Sequence, residues 1–234
     1  LRYSWEQIDL GEASALKVDT GSNPLFRVLP PTESAIRSFP ASSTILGNAT
    51  INGETLPSTS RTMNFQLAVY DGHHAPSLDR VSINVVNTGA SFRLHTLANY
   101  YQQGSHFKIN WNTANTQNSP VNCSVVDLRL STNGGKDFDR ILATAIPNSG
   151  SAFIYLPSEV TSTSTGRFKL SCSNNIFFSI SSDNFTIGLD TPPATSGTRN
   201  TILAESLSSS GGGSASLTLF ILLLMSGLRK IAKS

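Results

Sequence analysis

Through the first 188 residues, hydrophobic positions recur in short runs with a period of two, and turn residues separate the runs. In residues 80–86, Val81, Ile83 and Val85 alternate with Ser82, Asn84 and Val86, the spacing of a strand with one buried face. Residues 25–29, 43–51 and 64–70 carry comparable runs, the first closed by Pro30-Pro31. Asn87-Thr88-Gly89 then breaks the pattern and marks a boundary. Beyond it, Val126, Leu128 and Leu130 alternate with Val125, Asp127 and Arg129, leading into the hairpin-type turn Asn133-Gly134-Gly135. Residues 141–146, 152–156, 167–172, 176–180 and 185–187 complete the series. The pattern predicts an all-β chain of two immunoglobulin- or fibronectin-like β-sandwich modules, 1–88 and 89–188. The immunoglobulin signature places a Trp between two cysteines. Here Trp111 precedes both, so the match is to architecture only.

The alternation then stops. Residues 189–213 are rich in Ser, Thr, Pro and Gly and read as a disordered linker. Gly211, Gly212, Gly213 and Ser214 lead into an apolar stretch, residues 217–228. Leu217, Leu219, Phe220, Ile221, Leu222, Leu223, Leu224 and Leu228 supply its hydrophobic bulk. As a helix this stretch is about 18 Å long, against about 30 Å of hydrocarbon in a bilayer. Extended over 215–232 it reaches about 27 Å, with Arg229 and Lys230 snorkelling to the headgroups. With Lys233 they form a basic end that the positive-inside rule holds in the cytoplasm. The alternative is a buried core helix, but the glycine break in front, the basic cluster behind and the lack of a polar face favour a short membrane anchor. Its shortness fits a transient signal better than a permanent span.

Composition narrows the setting. Charged residues make up 14% of the chain, against roughly 25% in ordinary soluble domains, and Ser, Thr and Asn fill polar positions in their place. Net charge is +2, part of it in the last six residues, so nothing calls for a nucleic acid or an acidic partner. Cys123 and Cys172 make an even set and a candidate disulfide in an oxidising compartment; two separate buried thiols are the alternative. Phe168, Leu170 and Cys172 share a strand face, whereas Cys123 is out of step with Val126, Leu128 and Leu130 unless a bulge intervenes. No signal peptide precedes Leu1, which suggests a fragment or processed product of an exported protein.

Catalytic chemistry is sought and not found. The four histidines, His73, His74, His95 and His106, do not form His-Glu-x-x-His, the spacing that puts two imidazoles on one helix face around zinc. Asp19-Thr20-Gly21-Ser22 copies the aspartic-protease signature, but a second copy to share the proton is missing. The segment reads as a turn with an Asx-type bond. Asp71, Asp79, Asp137 and Asp139 are calcium-ligand candidates at loop ends, set against a reading as solvated loop carboxylates.

Two resemblances follow. The order of Ser-rich run, Gly211-Gly212-Gly213-Ser214, apolar helix and Arg229-Lys230 resembles the GlyGly-CTERM sorting tail of Gram-negative bacteria. That resemblance implies cleavage near the glycines by an intramembrane rhomboid-type protease and traffic through the type II secretion machinery to the cell surface or medium. The body resembles the C-terminal region of bacterial reprolysin-like zinc metallopeptidases. The likeness rests on Tyr3-Ser4-Trp5-Glu6-Gln7-Ile8-Asp9, Pro24-Leu25-Phe26-Arg27, residues 61–71, Trp111, Pro120-Val121-Asn122-Cys123, residues 130–135, Pro147-Asn148-Ser149-Gly150-Ser151 and Asn175-Ile176-Phe177-Phe178. In that family the catalytic helix and its zinc ligands precede the Tyr-x-Trp-Glu-Gln segment, so no catalytic residue carries over and zinc belongs to a domain ahead of this chain. The implied function is a non-catalytic C-terminal part of a secreted zinc metallopeptidase; the alternative is a stand-alone extracellular adhesion or binding protein with the same tail.

Overall fold

Three strands near the N-terminus, β1 (Arg2–Gln7), β2 (Arg61–Tyr70) and β3 (Ser77–Val85), form an antiparallel sheet in that order. The structure, a computed structural model, describes residues 1–48, 51–95 and 97–189. Alternation along β2 turns Met63 and Phe65 inward. They pack with Leu25 and Phe26, and Trp5, Phe39, Ile83 and Val85 close over the cluster. Burying side chains of this size stabilises by about 1.5–3 kcal/mol each.

The described part of residues 1–88 holds this one sheet, not the two expected of a sandwich. Phe26 makes only an isolated bridge to Glu54. In place of a strand at 43–51, Ser42–Ile45 forms a single helical turn, α1, and Gly47 ends it at φ +74°. The reason is chemical. Pro24, Pro30, Pro31, Pro40 and Pro57 interrupt the stretch between β1 and β2, and proline cannot donate to a ladder. Buried side chains serve its backbone instead. Gln7 Oε1 accepts from the N–H groups of Leu25 (2.7 Å) and Phe26 (2.9 Å). Glu54 pairs with Arg37 and accepts from the Ala41 N–H at 2.6 Å. Asn23, wholly buried, accepts from Thr20 and donates to Ser14 Oγ and the Val18 carbonyl.

Nine strands follow: β4 (Arg93–Leu94), β5 (Tyr100–Gln102), β6 (Ser105–Asn112), β7 (Val125–Ser131), β8 (Arg140–Pro147), β9 (Ser151–Leu156), β10 (Thr163–Cys172), β11 (Phe178–Ile180) and β12 (Phe185–Gly188). One sheet runs β5-β12-β10-β7-β8, with β11 also on β10, and a smaller one runs β4-β6-β9. Both supply one core: Val126, Leu128, Leu130, Phe168, Leu170 and Ile187 from the first, Ile109, Trp111, Ile154 and Leu156 from the second. Tyr101, Phe107, Phe168 and Phe185 meet there as an aromatic cluster, with Phe107 stacked on Phe168 at 5.2 Å between ring centroids. The chain is thus all-β apart from one short helix among its described residues.

Cys123 and Cys172 are bonded (Cα–Cα 6.0 Å) and buried in this core. The mismatch of phase does not arise, because Cys123 lies ahead of β7 in a turn shaped by Asn122 at φ +55°. Cys172 stands opposite Val126 at the end of β10, so the bond ties the turn leading into β7 to the strand beside it in the same sheet. Trp111 Nε1–H donates to Asn148 Oδ1 at 2.8 Å, and Asn148 Nδ2 donates to the Cys123 carbonyl and to Thr116 Oγ1.

The N-terminal region and the larger core belong to one compact unit. Arg167, buried midway along β10, donates to Asn184 Oδ1 and to the carbonyls of Ser181, Ser182 and, from the N-terminal region, Leu46. Leu46 Cδ2 lies so close to Gly135, at φ +88°, that a Cβ there would meet it at 2.5 Å. The linker beyond Leu189 and the tail, with Gly211, Gly212, Gly213, Ser214, the apolar stretch and Arg229, Lys230 and Lys233, lie outside the described residues. No helix among the described residues is long and apolar enough to cross a membrane.

Candidate functional site

β6 reads Ser105-His106-Phe107-Lys108-Ile109-Asn110-Trp111-Asn112, polar and apolar in strict alternation. Phe107, Ile109 and Trp111 face the core, and His106, Lys108, Asn110 and Asn112 face solvent. On the neighbouring β9, Phe153 and Tyr155 point outward opposite Lys108 and His106. Phe153 is 75% exposed. The His106 and Tyr155 rings lie 5.0 Å apart.

The backbone of β6 alternates as well. Trp111 N–H donates to the Gly150 carbonyl on the β9 side, whereas the Asn110 carbonyl accepts from His95 N–H on the β4 side. His106 and Lys108 therefore direct their N–H and C=O groups with Asn110, away from β9. β4 covers only Asn112 and Trp111, and His95 adds one bond to Asn110. Among the described residues nothing pairs with the backbone of His106 or Lys108 on that side. The chain returns as β5, which joins the other sheet by pairing with β12. Between it and the open edge of β6 lies a cleft of about 380 Å³ lined by Leu97, Ala98, Tyr101, Phe107, His106 and Lys108, among others.

Charge around the cleft is one-sided. The outward positions of β4, β6 and β9 and the adjoining His95 carry Arg93, Lys108 and two imidazoles and no carboxylate. On the cleft wall, Tyr101 Oη accepts from the Ala98 N–H at 3.2 Å. Burial raises the phenol's pKa above its ordinary value, and that bond offsets part of the rise. Tyr101 is thus a neutral wall with its oxygen engaged.

The residues singled out from the sequence fall elsewhere. Asp19 makes the expected Asx turn, accepting the Gly21 N–H at 2.8 Å. Its oxygens also take Arg61 Nη1 at 2.9 Å, the N–H groups of Ser58 and Thr59 and the Thr59 hydroxyl. Burial pushes this carboxyl up, but the bonds from Gly21, Thr59 and Ser58 outweigh it and hold the pKa well below the usual range. A carboxylate saturated with donors cannot share a proton with a partner. Asp71 caps the β2–β3 turn, accepting from the N–H groups of His73 and His74 and meeting His74 Nδ1 at 2.9 Å. Asp137 closes a turn with Asn133, whereas Asp79 lies within β3 opposite Leu67, not at a loop end, and accepts from the neighbouring Arg80 N–H. Among the described residues, no three His, Cys, Asp or Glu side chains converge as a metal site. Only His106, of the four histidines, lines the cleft. The alternation of β6 was there to be read; the open edge was not, since it depends on where β4 ends.

No family model matches this chain, and neither does any curated protein. Among solved structures it is similar to the Bacteroides ovatus mixed-linkage glucan utilization locus protein SGBP-B, in complex with a mixed-linkage heptasaccharide, at 12% identity and a TM-score of 0.25. The match covers 80% of this chain and spans 37% of that one, a likeness too low to bear on fold or activity.

Proposed function

We propose that the chain is the non-catalytic C-terminal part of a secreted zinc metallopeptidase. In this reading residues 1–88 and 89–188 are its accessory modules, the second an immunoglobulin- or fibronectin-like sandwich that contacts protein substrate or matrix. Residues 189–213 are a disordered linker, and 214–234 are a sorting tail with a short membrane helix, removed near Gly213 during export. The ordered segments from Tyr3-Ser4-Trp5 to Asn175-Ile176-Phe177-Phe178 support the peptidase half. The observation that carries the exported half is the buried Cys123–Cys172 bond, since such bonds persist in oxidising compartments. Zinc chemistry belongs to the parent's catalytic domain, and no residue of this chain is assigned to it.

Intact mass spectrometry of the secreted protein tests this directly. The expected species ends near Gly213 and has no free thiol. A retained tail, or two alkylatable cysteines, would contradict export by this route. Sequencing upstream of Leu1 tests the parentage: a His-Glu-x-x-His segment is expected within a few hundred residues. The second reading, a stand-alone extracellular binding protein with the same tail, is favoured by the cleft at β6 and requires a signal peptide directly upstream instead.

A further inference from the structure

We propose that the open edge of β6 takes an extended peptide segment in which acidic and apolar residues alternate, adding it as a further strand. The proposal rests on reading the second module as a protein-contacting one. The backbone groups of His106 and Lys108 on the cleft side have no partner among the described residues. Strand addition to such an edge draws affinity from main-chain hydrogen bonds and specificity from alternate side chains. A new strand lies about 4.8 Å from its neighbour, and the cleft between β6 and residues 97–102 opens there. β4 sets the direction, since its antiparallel pairing with Asn112 and Trp111 halts where the cleft begins.

The side-chain rule follows from the pleat. A residue opposite His106 or Lys108 shares the outer face with the His106 ring and the Lys108 ammonium, and Arg93 lies farther along it, with no carboxylate on β4, β6 or β9. An acidic side chain complements that face. The residue between, opposite Phe107, turns inward towards Leu97, Ala98 and Tyr101, where an aliphatic side chain is suited. The minimal unit is therefore acidic–apolar–acidic. A nucleic acid fits less well, because its phosphates call for a denser row of cations than Arg93 and Lys108 supply.

The test titrates the full chain with a capped eight-residue peptide of alternating Glu and Val, with the same residues shuffled into a Glu block and a Val block, and with a uronate oligosaccharide of equal charge. The alternating peptide is expected to bind and to slow hydrogen exchange at the His106 and Lys108 amides. Lys108→Glu should weaken it about tenfold or more, the equivalent of one charged hydrogen bond. His106→Pro, which removes an edge donor without touching the β9 ladder, should weaken it about fivefold. If His106→Pro does not fold, the exchange pattern of the unmodified chain decides. Unchanged exchange at both amides, or equal protection by the shuffled peptide or the oligosaccharide, would overturn strand addition. Failure here with the thiols oxidised and the tail processed leaves the exported reading standing; free thiols would undercut that reading without touching the edge.

Discussion

The ion pair between Asp19 and Arg61 is the place to test how the N-terminal region is held. Both side chains are almost fully buried, at 1% and 2% exposure, and their closest approach is 2.9 Å. Replacing Asp19 by Ala strands the Arg61 guanidinium away from water and frees the N–H groups of Gly21, Ser58 and Thr59. Removing one partner of a buried pair costs about 3–5 kcal/mol, and the orphaned amides place Asp19→Ala at the upper end. Arg61→Met removes the other charge, and the double variant leaves neither charge unpaired, so it should cost at least about 2 kcal/mol less than the two single losses together. The assay is urea unfolding of the four proteins at pH 7, repeated towards acid. Because the folded-state pKa of Asp19 lies below its ordinary 3.8, its contribution is complete above that value and declines as pH falls through the folded value. The gap between wild type and Asp19→Ala should therefore hold from pH 7 to about 5 and narrow below about 4. Additive single losses, or a gap that does not move with acid, would refute the reasoning.

Three further outcomes are expected. Reducing the Cys123–Cys172 bond, which closes a loop of 49 residues, should cost about 4 kcal/mol, read as a lower urea midpoint with reductant present. Phe168→Ala, at a wholly buried ring, should cost about 3–5 kcal/mol, whereas Phe153→Ala, 75% exposed, should stay within about 0.5 kcal/mol. By carbon-13 NMR the Asp71 carboxyl should titrate at about 2 because of its bond from His74 and the N–H groups of His73 and His74, and His74→Ala should move it upward.

Alternation made much of the sheet structure legible. β2, β7, β9 and β10 fall where strands were expected, because each buries one face and exposes the other; β3 and β8 fall there too but bury no residue fully, with Val81 and Ile141 exposed. β6 alternates equally well in Ser105–Asn112, yet the site it forms depends on β4 stopping at Leu94, a tertiary event with no local signal. Between Gln7 and Arg61 the hydrophobic runs mislead. Leu25 and Phe26 are buried as a strand's residues would be, but a glutamine side chain takes their N–H groups. Near residue 43 a β-branched run sits in a helical turn because Gly47 ends it within a few residues. Hydrophobicity reports burial; it does not report whether a strand or a side chain satisfies the backbone.

That substitution of side chains for a ladder sets how this region can drift over evolutionary time. A ladder is drawn from backbone groups that every residue but proline supplies, so strand sequences change freely provided one face stays apolar. Gln7, Asp19, Asn23 and Glu54 instead each serve particular partners through particular side-chain atoms. Swapping amide for acid at any of them keeps size and shape while reversing a donor or removing a charge. Substitutional freedom is thereby inverted here: the apolar positions can trade among themselves, and the polar ones, which look interchangeable in composition, are the fixed points.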